Sequence, residues 1–330
     1  MTMTAEIRVG IVGYGNVGRG VEAAIACNPD MKLAAVFTRR DPAALKIKTP
    51  GVAVYPEGQA ERHVDELDVV ILCGGSATDL PDQGPRFAAL FNTVDSYDTH
   101  AKIPDYFRTL DKAARYANKT CVISTGWDPG LFSLLRVIEE AVLPSGKGYT
   151  FWGPGVSQGH SDAARRVQGV VDARQYTIPI EGAMEKVRSG LAPELTTREK
   201  HLRDCYVVAA GDADLERIRT EIVTMPNYYA DYDTKVAFVS EAEMVGKHAE
   251  MPHGGFVIRS GNTGHGHRHI VEFSLKLDSN PEFTGNVLAA YARAVCRLNR
   301  EGQRGAKTVF DIPASYLSMK SPEALLKDYL

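Results

Sequence analysis

Short apolar runs alternate with stretches of helical periodicity over about the first 126 residues. Runs of strand length predict strands near residues 8–12, 33–37, 52–54, 69–73, 93–95 and 120–124. Apolar residues spaced three and four apart predict helices between several of these strands, notably at 16–27 and 104–117. Strands that alternate with helices in this way favour an α/β fold with a parallel, doubly wound sheet.

The pattern changes near residue 126, beyond which the predicted strands are longer. They lie near residues 149–152, 173–179, 205–210, 235–239, 255–260 and 270–277, with helices between them. Apolar and polar residues alternate over 269–277, which is typical of a strand with one buried face. We therefore expect a second, α+β domain with a mixed sheet. Apolar residues at helical spacing predict an amphipathic helix over 281–300.

The first predicted strand leads directly into residues 13–18, GYGNVG, which have the spacing G-x-G-x-x-G. Gly13 permits the tight turn, and Gly15 lets the backbone approach a pyrophosphate. Gly18 lets the following helix pack closely on the sheet. The N-terminus of that helix presents N–H groups and partial positive charge to the phosphates. The context therefore predicts a Rossmann-like dinucleotide site.

Two arginines indicate which dinucleotide binds. An NAD site would have Asp or Glu about 20 residues after the glycines, to hold the ribose 2′-hydroxyl. This chain has Thr38, Arg39 and Arg40 there, and two guanidinium groups suit a 2′-phosphate unless they are only a solvated surface pair. NADP(H) is therefore predicted, with the turn 74–79 on its nicotinamide side. The predicted cofactor-binding residues are Gly13, Tyr14, Gly15, Asn16, Val17, Gly18, Thr38, Arg39, Arg40, Gly74, Ser76, Ala77 and Thr78.

Two carboxylates follow later strands of the same domain, Asp98 in the turn 96–100 and Asp128 in the turn 125–129. A loop aspartate is often only a turn former or a helix N-cap, and Asp128 before Pro129 suits that role too. Because the carboxyl ends of parallel strands meet at one edge, both are expected beside the nicotinamide. There they can bind a substrate ammonium, stabilise an iminium and assist the attack of water, so they are the predicted catalytic residues.

The composition limits the classes of protein to which this chain can belong. The 330 residues are 44% hydrophobic and 24% charged, which is typical of a soluble enzyme of two domains. The net charge of −3 argues against a nucleic-acid partner, and no apolar run approaches the roughly 20 residues that span a membrane. Five scattered cysteines indicate reduced thiols and a cytoplasmic location. The histidines within 265–269 lack a carboxylate or cysteine partner, so a flexible loop is favoured there and no metal site is predicted.

Residues 125–130 (TGWDPG) and 152–155 (WGPG) are longer and more specific motifs than the glycine-rich turn. With segments 37–40, 94–100, 151–162, 175–179, 251–255 and 277–283, they make the chain similar to the meso-diaminopimelate dehydrogenases over essentially its whole length. The resemblance implies NADP-dependent oxidative deamination of the D-centre of meso-2,6-diaminopimelate to L-2-amino-6-oxopimelate and ammonium. It also implies a homodimer that acts in lysine and peptidoglycan precursor metabolism.

The resemblance also implies roles for single residues. Asp98 and Asp128 match the carboxylates around the reacting amino group, and the distal carboxylate of the substrate would meet Thr177, Arg203 and His253. The predicted substrate-binding residues are Trp127, Trp152, Gln158, Gly159, Asp162, Thr177, Arg203, His253 and Asn280. Because the distal set is polar, we expect a strict preference for meso-diaminopimelate. The alternatives are a broader NADP-dependent D-amino-acid dehydrogenase and a nucleotide-binding regulator without activity.

These expectations divide the chain into two domains. Residues 1–126 are expected to form the dinucleotide-binding domain, and residues 127–284 the substrate-binding and dimerisation domain. By analogy with other two-domain dehydrogenases, the segment from about 285 to 330 is expected to pack back on the first domain.

Overall fold

The computed structural model describes residues 6–330 and divides into two compact units. The first unit contains the residues up to 134 together with 281–330, and the second contains residues 135–280. Over residues 6–330, no helix combines the length and the apolar character that crossing a membrane requires.

The elements alternate regularly in the first part of the chain. They are β1 (Ile7–Val12), α1 (Asn16–Ala26), β2 (Met31–Thr38), β3 (Ala53–Pro56), β4 (Val69–Leu72), α2 (Leu80–Ala88), β5 (Thr93–Asp95), α3 (Ile103–Tyr116), β6 (Thr120–Val122) and α4 (Leu131–Val142). The second unit continues with β7 (Gly146–Trp152), β8 (Gly155–Val156), α5 (Gln158–Arg165), β9 (Val170–Pro179), α6 (Glu181–Arg188), α7 (Thr197–Lys200), β10 (His201–Ala209), α8 (Leu215–Val223), β11 (Asp233–Phe238), α9 (Glu241–His248), β12 (His253–Asn262) and β13 (Arg268–Leu277). The remaining elements are α10 (Asn280–Arg300), β14 (Gly305–Lys307), α11 (Ala314–Leu317) and α12 (Pro322–Tyr329).

The first unit contains one seven-stranded sheet in the order β14-β6-β5-β4-β1-β2-β3. Every pair of neighbouring strands is parallel. The side chains of β1 alternate between two cores, since Val9 and Ile11 pack with α1 and α10 while Val12 packs with α2 and α3. A sheet buried on both faces explains why β4 is apolar at every position. The predicted doubly wound parallel sheet is confirmed.

The last fifty residues complete this sheet and cover one of its faces. Strand β14 pairs with β6 at the sheet edge, and α10 lies against α1. A Cβ atom on Gly285 would fall 2.3 Å from the carbonyl carbon of Gly20, so two glycines permit the close approach of the helices. Buried Arg293 joins α10 to Asp30 by an ion pair of 2.6 Å.

The second unit contains the predicted mixed sheet and, in addition, an antiparallel sheet. The mixed sheet is β11-β10-β9-β8, in which only the pair β10–β11 is parallel. An antiparallel sheet, β13-β12-β7, lies beside α6 and has its own apolar core. Strand β13 begins at Arg268, so the histidine-rich segment expected to be a loop is partly strand.

Candidate active site

The glycine-rich turn is closely packed on its inner side and open on its outer side. Gly13 has φ of +85°, and its N–H donates to the carbonyl of Phe37 at 2.9 Å. A Cβ atom on Gly18 would fall 2.3 Å from the carbonyl oxygen of Gly13, so a larger residue would force the helix away from the strand. Around Gly15, the N-cap of α1, a Cβ atom would meet nothing within 4 Å. This geometry fits a pyrophosphate over the first turn of α1.

The residues at the end of β2 lie against the same turn. Arg40 donates from its guanidinium to the carbonyl of Tyr14 and from its backbone N–H to Thr38 Oγ1 at 3.1 Å. The hydroxyl of Tyr14 donates to buried Glu22, and burial together with that carboxylate raises the pKa of Tyr14 to about 12. The structure thus brings Tyr14, Thr38 and Arg40 together, next to the glycines.

Arg39 is exposed and ion-paired, with its Nη2 atom 2.8 Å from Asp79 Oδ2 and its Nε atom 3.9 Å from Glu57 Oε2. Burial raises the pKa of Asp79, but the Gly75 N–H and Arg39 outweigh it, so that the pKa lies below its ordinary value. Asp79 is also the N-cap of α2, at the end of the turn 74–79. The turns after β2 and β4 are therefore linked by a charge pair, with Ala77 and Thr78 exposed on the second turn.

Hydrogen bonds link the turns that carry the two predicted catalytic carboxylates to their neighbours. The backbone N–H of Asp98 donates to Ser76 Oγ at 2.8 Å, and the N–H of Thr125 donates to the carbonyl of Asp95 at 2.8 Å. Asp98 is exposed and Asp128 half-buried, whereas Trp127 is buried and packs edge-on against Phe132. The first unit therefore gathers the predicted cofactor and catalytic residues along one sheet edge, beyond the carboxyl ends of its strands.

In the second unit, a buried arginine is the centre of the predicted substrate residues. Arg203 is 4% exposed and is the cross-strand neighbour of Thr177, whose Oγ1 accepts from its guanidinium. The guanidinium carbon lies 3.8 Å from the ring centroid of Tyr232. Burial lowers the pKa of Arg203, and its buried Nε atom has no partner. Within the described residues no carboxylate pairs with this cation, which fits an anionic ligand.

Contacts within the second unit also place the predicted substrate-binding residues His253 and Trp152. Thr177 is opposite Gly155, where a Cβ atom would fall 2.3 Å from His253 Cα. Trp152 stacks on the imidazole of His201 at 5.3 Å and donates its backbone N–H to His201 Nε2 at 2.8 Å. Burial, with help from the charge of Arg203, lowers the pKa of His201 to about 3, so this imidazole is neutral.

Met251 connects the rest of the predicted set. Gln158 Nε2 donates to Met251 Sδ at 3.4 Å, and the N–H of Asn280 donates to the carbonyl of Met251 at 2.9 Å. Asp162 lies one turn after Gln158 on α5 and pairs with Arg165, while Gly159 is exposed between them. Thus Arg203, Thr177 and His253 lie in one row of the structure, and Gln158 and Asn280 both bond to Met251, two positions before His253. Asp162 is placed by its helix and by its ion pair. No group of His, Cys, Asp or Glu within residues 6–330 is arranged to hold a metal ion.

Comparisons with known proteins decide the family. A family model, the diaminopimelic acid dehydrogenase C-terminal domain, matches residues 126–279. A meso-diaminopimelate D-dehydrogenase of Ureibacillus thermosphaericus is 61% identical over 326 residues, which are 99% of this chain and 100% of the relative. The chain belongs to the meso-diaminopimelate D-dehydrogenase family. The resemblance predicted from the motifs is thereby confirmed, and the relatives are oxidoreductases that act on a CH–NH2 group.

Solved structures of the family have the same fold. The diaminopimelate dehydrogenase of Corynebacterium glutamicum, in complex with diaminopimelate, has a TM-score of 0.94 at 47% identity, covering 99% of this chain and 100% of that one. An engineered D-amino acid dehydrogenase bound to NADP⁺ has a TM-score of 0.89 at 45% identity, with the same coverage. Both likenesses span both units, so the predicted two-part α/β architecture is that of the family.

Two residues that contact the predicted substrate-binding residues were not predicted from the sequence. His201 supports Trp152, and Tyr232 covers the guanidinium of Arg203. His201 had a usable signal, because it precedes Arg203 by two positions and alternate residues of a strand share a face. Tyr232 had none, since it comes from the loop before β11, where spacing says nothing about contact with β10.

Proposed function

We propose that this chain catalyses the NADP-dependent, reversible oxidative deamination of the D-centre of meso-2,6-diaminopimelate to L-2-amino-6-oxopimelate and ammonium. Its relatives are meso-diaminopimelate D-dehydrogenases over their whole length. The observation that carries the proposal is buried Arg203, which has an unpartnered Nε atom and is ion-paired with no carboxylate among the described residues. A substrate with a second, unreactive carboxylate satisfies that cation, and a simple amino acid lacks the group.

The residues around the glycine-rich turn fit NADP(H). The packed Gly13 and Gly18, with open space at Gly15, accommodate the pyrophosphate, and Arg39 and Arg40 carry the positive charge that a 2′-phosphate requires. Ser76 and its neighbours on the turn 74–79 support the nicotinamide side. NADP⁺, when bound, accepts the hydride that leaves the substrate carbon.

Asp98 and Asp128 act on the reacting amino group. Their carboxylates bind the substrate ammonium, and one of them accepts a proton from it, because only the neutral amine can lose hydride and become an iminium, whose positive charge the carboxylates stabilise. Water then attacks the iminium carbon and gives a proton to a carboxylate, which passes it to the nitrogen. Ammonium leaves with the remaining hydroxyl proton as the carbon becomes a ketone. Trp127 of the first unit and Trp152 of the second each offer the substrate an aromatic surface, which excludes bulk water from the reaction.

The distal residues read the other end of the substrate. Arg203, Thr177 and His253 bind the distal carboxylate, while Gln158, Asp162 and Asn280 suit the distal ammonium, with Gly159 leaving space on α5. This set discriminates meso-diaminopimelate from simple D-amino acids, because a ligand without the distal carboxylate leaves Arg203 uncompensated. The broader D-amino-acid dehydrogenase is the second candidate, since an engineered enzyme of that activity shares the fold.

The domain roles follow the same assignments. Residues 1–126 hold the dinucleotide, the segment from about 285 to 330 completes that domain, and residues 127–284 bind substrate and form the interface of a homodimer. The scattered thiols support a cytoplasmic location.

An exposed apolar face in the second unit supports the homodimer. Phe273 and Thr150 are both cross-strand partners of Val257, so they share one face of the antiparallel sheet. Arg136 of α4 donates to Thr150 at 3.0 Å, which puts α4 on this face too. Phe273 is 37% exposed at the edge strand β13, and α4 adds exposed apolar side chains, namely Val137, Ile138 and Val142. Apolar exposure along a helix and a sheet edge is typical of a subunit interface.

The purified enzyme should form NADPH from NADP⁺ with meso-diaminopimelate and give no comparable rate with the LL or DD isomers or with D-alanine. The reason is that the D-centre reacts only when a distal L-centre is held correctly. Initial rates of NADPH absorbance measure this. Turnover of D-alanine at a similar rate would favour the broader dehydrogenase, and absence of turnover with every isomer would refute the function.

Replacing Arg203 with Met should lower kcat/KM for meso-diaminopimelate by about 30- to 150-fold, because a charge-assisted contact to a carboxylate is worth about 2–3 kcal/mol. Arg198→Met is the matched control: it removes an exposed arginine five positions before Arg203, which pairs with Asp233. The control should remain near the wild-type value, since exposed ion pairs contribute little. Steady-state kinetics with saturating NADP⁺ measure both variants. Equal kcat/KM values for the two would contradict the assignment of Arg203.

Changing Arg39 and Arg40 together to Ala should raise KM for NADP⁺ by about tenfold or more, while KM for NAD⁺ changes little. Only NADP⁺ carries the 2′-phosphate that the two guanidinium groups bind. Arg62→Ala, an exposed arginine of the same unit, serves as control. Equal changes for the two cofactors would mean that the arginines do not touch the phosphate.

In solution the wild-type chain should sediment as a dimer, and Phe273→Asp should shift it towards the monomer because a charge in an apolar interface is costly. Tyr116→Asp, at an exposed aromatic residue of the first unit, should leave the dimer intact. Sedimentation velocity at several protein concentrations tests this. A dimer unaffected by the substitution in β13 would place the interface elsewhere.

A further inference from the structure

Asp95, the last residue of β5, is a carboxylate that water does not reach, since its exposed fraction is 0%. Three donors converge on it. Oδ1 accepts the backbone N–H of Tyr97 at 3.0 Å and of Ser124 at 3.1 Å, and Oδ2 accepts the hydroxyl of Tyr106 at 2.8 Å. The carbonyl of the same residue accepts the N–H of Thr125.

The two backbone donors belong to the two turns that carry the proposed catalytic carboxylates, and Tyr106 belongs to α3. Tyr97 immediately precedes Asp98, and Ser124 begins the turn that leads to Asp128. The backbone N–H of Asp98 itself donates to Ser76 Oγ. Asp95 is therefore a point at which the two turns are tied together, since one of its oxygens accepts a bond from each.

The backbone of the second turn needs such a tie. Ser124 has φ of +55°, in the left-handed region that residues other than glycine rarely adopt. Such a conformation costs about 1 kcal/mol or more and persists only where the surroundings enforce it. The bond from the Ser124 N–H to the Asp95 carboxylate is one of the contacts that enforce it.

Packing fixes the third donor. The rings of Tyr106 and Tyr97 stack with centroids 4.0 Å apart. A Cβ atom on Gly84 would fall 2.3 Å from the hydroxyl of Tyr106, so the glycine of α2 makes room for it. The carboxylate is thus held in one orientation by α3 and by both turns.

We propose that Asp95 is a positioning residue of the reaction, which fixes the relative placement of Asp98 and Asp128 through the backbone of their turns. This role rests on the proposed function. It depends on hydrogen-bond acceptors at that point and not on negative charge, because both backbone donors bind a single oxygen. An amide at this position retains that oxygen, whereas a methyl group removes it.

The test compares Asp95→Asn, Asp95→Ala and Tyr106→Phe with the wild type. We expect Asp95→Asn to keep kcat within about threefold, and Asp95→Ala to lose about tenfold or more, because a small misplacement of catalytic groups is costly. Tyr106→Phe removes one donor of three and should give an intermediate loss. The affinity for NADPH, titrated by its fluorescence, should stay within about threefold in all of them, since Asp95 does not contact the glycine-rich turn.

A matched control is Asp68→Ala. Asp68 Oδ2 accepts the backbone N–H of Arg8 at 2.8 Å, so it is also a carboxylate clamp, but at the amino-terminal edge of β4. It should lower the melting temperature and leave kcat unchanged. Equal kcat for Asp95→Ala and the wild type would overturn the proposal, as would an equal loss in Asp95→Asn, which would indicate a role for the charge. Parallel losses of kcat and NADPH affinity in Asp95→Ala would also overturn it, because they would show general damage.

A second readout does not depend on activity. The chain has two tryptophans, and Trp127 is in the turn that Ser124 begins, with 8% of its surface exposed. With Trp152→Phe as background, its emission reports that turn alone. We expect a red shift when Asp95→Ala is added and none with Asp68→Ala. An unchanged spectrum would overturn the positioning role, whereas a wild type without turnover but with the expected shift would refute only the proposed function.

Discussion

Parallel pairing of β1 with β2 on one side and β4 on the other is the constraint on which the first unit depends. Parallel strands all end at the same edge of the sheet, so the turn that follows each strand lies at that edge. The turns after β1, β2, β4, β5 and β6 are consequently neighbours, although the residues they carry are spread over more than a hundred positions in the chain. This pairing is sufficient to bring together most of the polar residues that we assign to cofactor binding and catalysis in this unit.

In the second unit, several of the residues that we assign to the substrate are brought together by strand register, because they lie opposite one another on neighbouring strands. The register of β9 with β10 sets Thr177 opposite Arg203, and the register of β8 with β9 adds Gly155 in the same row. A shift by one residue would turn every member of the row to the opposite face. Under the proposed function, specificity for the distal end of the substrate depends on strand register, whereas the proposed nucleotide site depends on turns.

Both units retain a buried ionisable group that costs stability. Burial raises the pKa of Asp95 to about 6 in spite of its three hydrogen bonds. Since the folded-state pKa exceeds the ordinary value, this group destabilises the fold increasingly as the pH rises from about 4 to 6, and the cost remains at neutral pH. Burial likewise disfavours the charged form of Arg203, so its pKa lies below the ordinary value. Groups kept at such a cost are typical of functional sites.

Much of this organisation could be predicted from the sequence, for reasons that differ between elements. The glycine spacing at 13–18 directly after a strand predicts a dinucleotide-binding turn, and the short apolar runs of β1, β2 and β4 predict buried strands. Strand β14 was missed because three residues, Gly305 to Lys307, carry no periodicity. The two sheets of the second unit were not separated, since alternation identifies a strand and not its partner, and β7 pairs with β12 across about a hundred residues. The burial of Asp95 could not be predicted, because an aspartate at a strand end is usually exposed.

The uncompensated guanidinium of Arg203 has a consequence for the thermodynamics of the molecule. A ligand that neutralises a buried charge binds the folded chain and not the unfolded one, so its binding energy is added to the stability of the fold. The second unit is therefore expected to be least stable when empty. A bound dicarboxylate then raises the resistance of the chain to heat and proteolysis whether or not it reacts, by an amount set by its concentration relative to its dissociation constant.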